Sequence, residues 1–328
     1  MRKRTSRQNG FAQIGGSEEE DGSHVGAIGG INVNAKSTKA LAGARGAAQV
    51  SAMAQVFRLN RALIRVSGPD SVDFLDNLLT QKVENLNTPR YAALLSPQGK
   101  VIADMLLWRI NGDIMIDADA TRGADLLRQL SMYKLRADVT IADASAALGA
   151  LFSDAPFEGA AADPRLPNEA LGWRRLAPRA EAQSLADGAD VYDARRLAMG
   201  TPDLARDAAP EEVFAGEALL EELGGVDFQK GCFVGQENVS RMKRRATTRR
   251  KFCAISFEGA PPAFGAAIKA GDAEIGTVRS GADGRAIALI RLDRALELSA
   301  NGARFTVEDR EIRLDPPSWL ILPSREVP

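Results

Sequence analysis

The sequence predicts an α+β fold that ends in a small C-terminal β-barrel. Between about residues 55 and 143, segments with helical spacing of apolar residues alternate with strand-like segments joined by tight turns. From residue 251 onward, the pattern changes to short strands separated by turn residues. Helices interleaved with antiparallel hairpins favour an α+β arrangement over a doubly wound parallel sheet, and a series of short strands favours a barrel.

The first 52 residues differ in composition from the rest of the chain. They are rich in Gly, Ala, Ser and Asn, contain few large apolar side chains and include the acidic run Glu18–Asp21. We interpret residues 1–52 as a disordered extension or a mis-assigned start, because Met53 immediately precedes the first globular pattern. The acidic run argues against a transit peptide, and the lack of an apolar stretch argues against a secretory signal. With only two cysteines in the chain, a reducing cytoplasm fits best, so we expect a cytoplasmic protein. An α+β region at 53–250 and the barrel at 251–328 are predicted to follow.

The α+β region begins with a predicted strand at Ala62–Val66, and Ser67-Gly68-Pro69-Asp70 is a helix-entry signal. The apolar residues between Phe74 and Leu79 then repeat with helical spacing. Asn111-Gly112 is a strong hairpin signal. Further strands are predicted at Tyr91–Leu95, Val101–Trp108, Ile114–Ile116 and Val139–Ile141, and a helix at Arg122–Tyr133.

Residues 144–190 carry a weaker pattern, and residues 192–225 are predicted to be helical and loop-like. Turns at Asp283-Gly284 and Asn301-Gly302 separate the barrel segments. Barrel strands are predicted at Phe252–Phe257, Ala266–Lys269, Glu274–Arg279 and Ala286–Leu292. In the first of these, period-two alternation places Cys253 on an apolar face with Ile255 and Phe257, so Cys253 is predicted to be a core residue.

The composition excludes several classes of protein. Lys and Arg number 42 and Asp and Glu 43, a net charge of -1, so no global field attracts the protein to nucleic acid or to a membrane. Two cysteines and one histidine exclude a disulfide framework and a structural zinc site with four Cys or His ligands. No apolar run approaches the roughly 20 residues that span a bilayer.

Cys232 lies in the most specialised local sequence of the chain, Lys230-Gly231-Cys232-Phe233-Val234-Gly235-Gln236-Glu237. A free cysteine with a pKa near 8.5 is only about 3% ionised at pH 7, and a nearby ammonium or the positive end of a helix increases that fraction. Lys230 supplies an ammonium, and a helix is expected to begin at Gly235 with Gln236 and Glu237 in its first turn. The flanking glycines allow positive φ or the close approach of a ligand. Isolated free cysteines are more often buried as small hydrophobes, but this setting favours a reactive Cys232.

This segment has the form K-G-C-[YF]-x-G-Q-E, which resembles the signature of the YgfZ family. Members of that family bind folate, act in iron–sulfur assembly and share the fold of the glycine-cleavage T-protein (GcvT), an aminomethyltransferase. The resemblance covers roughly residues 55–295 and implies a GcvT-like folate-binding fold with a C-terminal barrel. It includes four further segments in the family's order, Leu63–Gly68, Leu94–Lys100, Arg195–Pro202 and Ile275–Ser280.

The resemblance also implies a function. A YgfZ-like protein binds tetrahydrofolate or a derivative and supports the assembly or repair of iron–sulfur proteins, including enzymes that modify tRNA. Cys232 would be the essential reactive thiol, with Lys230 tuning it and residues 231–237 shaping its loop. Two cysteines cannot hold a cluster in the usual four-cysteine manner, so contact with a cluster would be transient. The expected partners are folate and iron–sulfur client proteins, and the expected state is a monomeric assembly factor rather than an enzyme.

Three residues are candidates for folate contacts by the same resemblance. Arg196 matches the arginine of an R-[IL]-x-x-G-x-P element that T-proteins aim at the folate tail, where a planar guanidinium meets a carboxylate with two hydrogen bonds. Arg136 follows the run Tyr133-Lys134-Leu135, which is also seen in the family. Asp104 takes the place of one of two consecutive aspartates in T-proteins, and Ala103 takes the place of the other. Pairing of Arg196 with a neighbouring aspartate, or exposure of Asp104 to water, would be the structural alternative.

Two other functions stay open at this point. A folate-dependent aminomethyl or one-carbon transferase is disfavoured by Ala103, because half of the carboxylate pair is missing. An RNA- or partner-binding module would use the basic run Arg241–Lys251, the densest positive charge in the chain. The run has no aromatic residues on which bases stack, so nucleic acid is not favoured, and such runs are commonly solvated helix ends. A functional basic run would instead draw an acidic partner or polyglutamylated folate toward Cys232.

Overall fold

The computed structural model describes residues 54–245 and 248–323, and the predicted extension at 1–52 lies outside them. The described residues form two antiparallel sheets, a closed barrel and short helices. The strands are β1 (Phe57–Leu59), β2 (Arg61–Ser67), β3 (Arg90–Leu95), β4 (Val101–Ile110), β5 (Asp113–Asp119), β6 (Thr140–Asp143), β7 (Leu148–Ser153), β8 (Ala161–Ala162), β9 (Trp173–Pro178), β10 (Arg250–Ser256), β11 (Ala267–Ala270), β12 (Ala273–Ala282), β13 (Arg285–Arg291), β14 (Phe305–Val307) and β15 (Arg310–Leu314). The helices are α1 (Ser71–Leu78), α2 (Gly123–Tyr133), α3 (Arg179–Gln183), α4 (Ala189–Ala198), α5 (Leu204–Asp207), α6 (Gln236–Arg244) and α7 (Leu292–Ala300).

The first sheet has five strands in the order β3-β4-β5-β2-β6, all antiparallel to their neighbours. Strands β4 and β5 are joined at Asn111 and Gly112, whose φ angles of 51° and 90° are those of the tight hairpin turn that the sequence predicted. Helices α1 and α2 lie on one face, where their apolar residues form a core with the strands. These elements match the predicted order of helices and hairpins, and the α+β prediction is confirmed.

Strand β4 is buried on both faces, and its alternation decides where Asp104 points. Ala103, Met105 and Leu107 belong to the core beneath α1 and α2. Since successive side chains of a strand point to opposite faces, Asp104 and Leu106 face the other side, where the larger core lies. Asp104 is therefore turned toward the interior of the protein and not toward the helices.

A second sheet, in the order β1-β7-β9-β8, occupies the region where the sequence pattern was weak. Its strands are short, and β7 pairs with the three-residue β1 on one edge and with β9 on the other. Strand β9 contains two consecutive arginines, Arg174 and Arg175, of which Arg174 is buried. Buried arginine interrupts the apolar alternation by which half-buried strands are recognised, and this explains why the sheet was not predicted.

The C-terminal residues form a closed barrel in the order β10-β13-β12-β11-β14-β15, which confirms the predicted barrel. Cys253 is buried in β10 opposite Ala288, and burial raises the pKa of its thiol to about 12. The prediction that Cys253 is a core residue is confirmed. Helix α7 was missed, although Leu292 and Ala295 have the helical spacing of a buried face. In the described part of the chain, no helix is both long and apolar enough to cross a membrane.

Candidate functional site

The thiol of Cys232 is exposed at the surface, in the loop that leads into α6. Gly231 beside it is also exposed, whereas the next residue, Phe233, is buried. Val234 packs against the core beneath α1 and α2. The loop therefore holds its apolar residues inward and presents the thiol outward.

Lys230 fixes the loop on one side of the thiol. Its ammonium donates hydrogen bonds to the carbonyl oxygens of Asp76 (2.5 Å), Leu79 (2.8 Å) and Gln81 (3.1 Å), at the C-terminal end of α1. Burial lowers the pKa of Lys230, and the nearby carboxylate of Asp76 opposes that shift. An ammonium has three protons, and all three are used here. Lys230 therefore caps α1, and its predicted effect on the Cys232 thiol stays a prediction.

Thr80 extends this first anchor to the segment before Lys230. Its hydroxyl donates to the carbonyl of Gly225 at 2.6 Å and accepts from the backbone N–H of Ala93 in β3 at 2.8 Å. The N–H of Asp227 donates to the carbonyl of Thr80 at 2.9 Å. The chain from Gly225 to Lys230 is thus bonded to β3 and to the end of α1.

Gly235 provides a second anchor on the other side of the thiol. Its φ of 82° lies in the left-handed region, and a Cβ at this position would lie 2.6 Å from the carbonyl oxygen of Ser96 and 3.1 Å from the Cα of Gly99. Gly99, with a φ of 80°, would place a Cβ 3.1 Å from the Cβ of Asn238. Two glycines are therefore needed for the turn between β3 and β4 to pack directly on the start of α6. The structure thus brings together two of the segments that resemble the YgfZ family, the one that contains Gly99 and the one that contains Cys232.

We call residues 225–239 the thiol strap. Within it, the side-chain amide of Gln236 donates to the carbonyl of Gly231 at 3.3 Å, while Glu237 is exposed. Cys232 lies on the outer side of this strap, between one anchor at the end of α1 and a second at the turn between β3 and β4. Among the described residues, no group of three or more His, Cys, Asp or Glu side chains could hold a metal ion. The arrangement suits a thiol that meets another macromolecule at the surface.

Asp104 lies in a separate, largely polar cleft with a cavity volume of about 20 Å³, roughly the space of a single water molecule. The hydroxyl of Tyr91 donates to Oδ2 of Asp104 at 3.0 Å. Burial and the negative charge of Asp203 raise the pKa of Asp104, and the positive charges of Arg61 and Arg165 only partly oppose them. Burial and the adjacent Asp104 also raise the pKa of Tyr91 well above its usual value. The cleft thus holds a carboxyl group that is poorly solvated and already engaged by one donor.

Arg165 and Arg174, which the sequence did not single out, form the wall of this cleft. Both guanidinium groups bind Asp163, with an Arg165 Nη2 to Oδ2 distance of 2.6 Å and an Arg174 Nε to Oδ2 distance of 2.8 Å. Burial acts to raise the pKa of Asp163, but the two arginines outweigh it and hold that pKa well below its usual range. Nη1 of Arg174 is buried and has no hydrogen-bond acceptor among the described residues, the nearest carboxylate oxygen being that of Asp117 at 4.0 Å. The Oδ2 atom of Asp117 is also buried without a hydrogen-bond partner in the described part of the chain, so these two atoms form a loose ion pair that lacks a hydrogen bond.

Arg196 lies elsewhere, fully buried between α4 and the barrel. Nε donates to Asp193 at 2.5 Å, Nη2 donates to the hydroxyl of Ser280 at 2.8 Å, and Nη1 lies 3.6 Å from Oδ2 of the buried Asp207. These contacts bind α4 and α5 to β12 and leave no exposed surface on the guanidinium. The prediction that Arg196 holds the folate tail is not supported, because the structural alternative, pairing with Asp193, is the one observed.

Arg136 and the basic run are also placed by the structure. Arg136 is exposed on the turn between α2 and β6 and is not one of the residues that line the cleft of Asp104, so its predicted folate contact is not supported there. Within the basic run, Lys243, Arg250 and Lys251 form ion pairs with Glu221, Glu217 and Glu222. Arg244 is exposed, and residues 246–247 lie outside the described part. The run is therefore partly neutralised by its own neighbours.

Two family profiles match the chain. The profile described as the GCVT N-terminal domain matches residues 39–152. The profile described as the CAF17 C-terminal beta-barrel domain matches residues 249–321. A solved structure, glycine cleavage system aminomethyltransferase T from Bartonella henselae, superimposes with a TM-score of 0.64 at 19% identity, over 82% of this chain and 86% of that one. At that identity the likeness shows the fold.

Curated relatives share a name. The iron-sulfur cluster assembly factor IBA57 homolog, mitochondrial, of Pyricularia oryzae is 30% identical over 286 residues, which cover 74% of this chain and 73% of that protein. The human iron-sulfur cluster assembly factor IBA57, mitochondrial, is 28% identical and covers 71% of this chain and 76% of its own length. A Neurospora crassa homolog is 29% identical over 62% of this chain and 54% of its own length.

The names of these relatives correct one expectation and establish the family. The relatives are named as mitochondrial, which contradicts the cytoplasmic localisation that we expected from the small number of cysteines. The fold, the barrel and the extent of the match all agree with these relatives. The chain belongs to the family of the iron–sulfur cluster assembly factor IBA57.

Proposed function

We propose that this protein is a YgfZ-like, tetrahydrofolate-binding factor that supports the assembly or repair of iron–sulfur proteins, including enzymes of tRNA modification. Cys232 is its reactive thiol. The observation that carries the proposal is the contrast between the two cysteines: Cys232 is exposed on the thiol strap, whereas Cys253 is buried in the barrel. The names of the curated relatives support the iron–sulfur role.

The strap suits this role because it fixes an exposed thiol without enclosing it. Lys230 and Gly235 hold the strap on either side, so the loop does not need to order itself when a client arrives. With one accessible cysteine, the protein can offer a cluster a single thiolate, and the client or another carrier must supply the other ligands. The cluster is thus cargo that Cys232 contacts at an interface between proteins.

The polar groups that line the cleft of Asp104 match the hydrogen-bonding edge of folate, but its volume of about 20 Å³ requires the cleft to open before the ring can enter. The head of tetrahydrofolate has ring N–H donors beside a carbonyl acceptor, and when bound the cofactor supplies nitrogens that carry a one-carbon unit. Asp104 can accept from the donor edge, and the unpartnered Nη1 of Arg174 can donate to the carbonyl. Tyr91, through its hydrogen bond, keeps the carboxyl of Asp104 oriented. Neither Arg196 nor Arg136 lies where it would bind the anionic tail.

The cleft and the strap share one strand. Asp104 lies on β4, and the turn that precedes β4 is the one whose Gly99 packs against Gly235. A ligand that binds Asp104 and shifts β4 would therefore also shift the turn on which the thiol strap packs. This shared support is why we place folate binding and thiol chemistry in a single function.

The proposal is tested in a strain that lacks this protein and re-expresses either the wild type or Cys232→Ala at matched levels. We expect the wild type to restore both the activity of a [4Fe–4S] enzyme and the level of thiomethylated tRNA, and the variant to restore neither. Equal restoration by both proteins would remove the thiol from the function. A deletion that changes neither readout would remove the iron–sulfur role itself.

The folate part is tested separately by calorimetric titration of the purified protein with tetrahydrofolate. Asp104→Asn and Arg174→Met are each expected to weaken binding by about tenfold or more, because each removes one hydrogen bond to a charged group. Arg136→Met is the matched control and is expected to bind as the wild type does. Unchanged affinity in both cleft variants would exclude this cleft as the folate site.

A further inference from the structure

The C-terminal end of α2 displays two large apolar side chains to solvent. Met132 is 63% exposed and Leu135 is 88% exposed. Single exposed apolar residues are ordinary at protein surfaces and need no explanation. Met132 lies in the last turn of α2 and Leu135 two residues after the helix ends, so two large apolar side chains are exposed within four residues of the chain. We call residues 131–137 the α2 tip.

Leu135 carries a second anomaly, because its φ of 44° lies in the left-handed region. That region is unfavourable for a bulky side chain and is normally left to Gly, Asn or Asp. A strained residue in a core is compensated by packing, but Leu135 is almost fully exposed and gains little from burial. Leu135 directly follows Lys134, the C-cap residue of α2, at a position where a left-handed residue commonly ends a helix and is usually glycine, so the leucine is kept there at a local cost.

The α2 tip is nevertheless rigidly attached. Tyr133 and Ala137, on either side of Leu135, pack against the core beneath α1 and α2. The N–H of Ala137 donates to the carbonyl of Lys134 at 2.9 Å, and the N–H of Asp138 donates to the carboxylate of Asp70 at 2.7 Å. The leucine is therefore held outward by a fixed turn. A surface that is ordered in advance loses less entropy when a partner binds.

Charges flank the apolar pair. Lys134 and Arg136 lie next to Leu135 in the chain, and no described carboxylate forms an ion pair with either. A cationic rim around an apolar centre is complementary to an apolar pocket bordered by carboxylates. We propose that the α2 tip is a docking site for a partner protein that presents such a pocket, with Leu135 as the central anchor. The proposal rests on the proposed function only in that it takes the partner to be an iron–sulfur protein.

The test begins with a photo-crosslinking amino acid placed at position 135 of the full chain and, as a control, at Phe264, which is also exposed but lies before the barrel strand β11. A protein captured at position 135 is identified and purified, and its affinity for the wild type and for variants is measured. Leu135→Glu is expected to weaken binding by about thirtyfold, the effect typical of a buried interface anchor. Leu135→Met, which conserves volume, is expected to stay within about threefold of the wild type. Phe264→Glu is expected to bind as the wild type does.

Leu135→Gly separates docking from folding. It removes the side chain and relieves the left-handed strain, so we expect weaker binding together with an unchanged or higher unfolding temperature. Capture of an iron–sulfur protein with these affinities supports the proposal. The proposal would be overturned if position 135 cross-links only to a second copy of the protein or to residues 1–53 of the same chain. It would also be overturned if Leu135→Glu binds the partner as tightly as the wild type does, or if the wild type associates with anionic phospholipid vesicles and Leu135→Glu abolishes that association.

The Cys232→Ala variant distinguishes this proposal from the function it extends. If the α2 tip is the docking site, Cys232→Ala retains the cross-link at position 135 and the wild-type affinity, even where iron–sulfur activity is lost. If Cys232→Ala restores full activity in the deletion strain while Leu135→Glu still weakens binding, the thiol role fails and the docking site stands. If the wild-type cross-link is absent while the thiol is required, the docking site fails alone.

Discussion

Replacing Gly235 by alanine is expected to break the anchor between the thiol strap and the first sheet. An alanine would have to keep a φ of 82° and would place its Cβ 2.6 Å from the carbonyl oxygen of Ser96 and 3.1 Å from the Cα of Gly99. Both neighbours are backbone atoms of the turn between β3 and β4, so neither can move without displacing a strand. We therefore expect the strap to shift away from the sheet.

The magnitude follows from two terms. The left-handed conformation costs an L-residue about 1–2 kcal/mol relative to glycine. Forcing an extra methyl group against packed atoms costs about 1–3 kcal/mol more. We therefore predict that Gly235→Ala lowers the free energy of unfolding by about 2–5 kcal/mol. Gly231→Ala is the matched control, because a Cβ there meets nothing within 4 Å, and its expected effect is within about 0.5 kcal/mol.

Urea unfolding followed by circular dichroism measures both variants, and [4Fe–4S] enzyme activity in the deletion strain measures their function. The expected result is a large loss of stability and of function for Gly235→Ala and little change for Gly231→Ala. If the two variants have equal midpoints and equal function, the packing of Gly235 on Gly99 does not hold the strap and the two-anchor description is wrong.

Three further predictions concern single residues. Iodoacetamide at pH 8 is expected to label only Cys232 in the native protein and both cysteines in urea, since Cys253 is buried and its pKa is raised to about 12. Mass spectrometry measures the adducts, and equal labelling rates of the two cysteines in the native protein would contradict this prediction. Asp104→Asn is expected to raise the free energy of unfolding at pH 7, because folding raises the pKa of Asp104 and the ionised carboxylate therefore destabilises the folded protein. This gain should vanish below the usual Asp pKa near 3.9, where the carboxyl is protonated in both the folded and the unfolded protein. Urea unfolding at several pH values measures both effects. Arg196→Met is expected to lower the free energy of unfolding by about 3–5 kcal/mol, because it leaves the buried Asp207 without its partner. The affinity of the folded protein for tetrahydrofolate is expected to stay unchanged. A loss of affinity without a loss of stability would instead identify Arg196 as a folate ligand.

Local sequence signals were enough to predict the first sheet and the barrel. The hairpin at Asn111-Gly112 and the helical spacing after Phe74 are set by neighbouring residues, and the structure contains both elements. The expected start of a helix at Gly235 is also observed. In these cases the interactions that fix the element lie within a few residues of each other, so a single sequence reveals them.

The site was less predictable because its contacts are distant in the chain. Lys230 was interpreted as a partner of the adjacent thiol, but its ammonium is used by carbonyl groups at the end of α1. Arg165 and Arg174 were passed over because charged residues are usually exposed, and their burial depends on Asp163. For Arg196 the sequence predicted a contact with a ligand, whereas the structure has a buried ion pair with Asp207. Pairing that buries a charge cannot be inferred until both partners have been placed.

Whether the exposed Cys232 thiol performs the iron–sulfur work can be measured with one chemically modified protein. The native protein is alkylated, which is expected to modify Cys232 alone, and is added to extract of the deletion strain in which an apo [4Fe–4S] enzyme is being reactivated. Unmodified protein and Cys253→Ala are expected to support reactivation, and the alkylated protein is expected to support none. Equal reactivation by alkylated and unmodified protein would contradict the account.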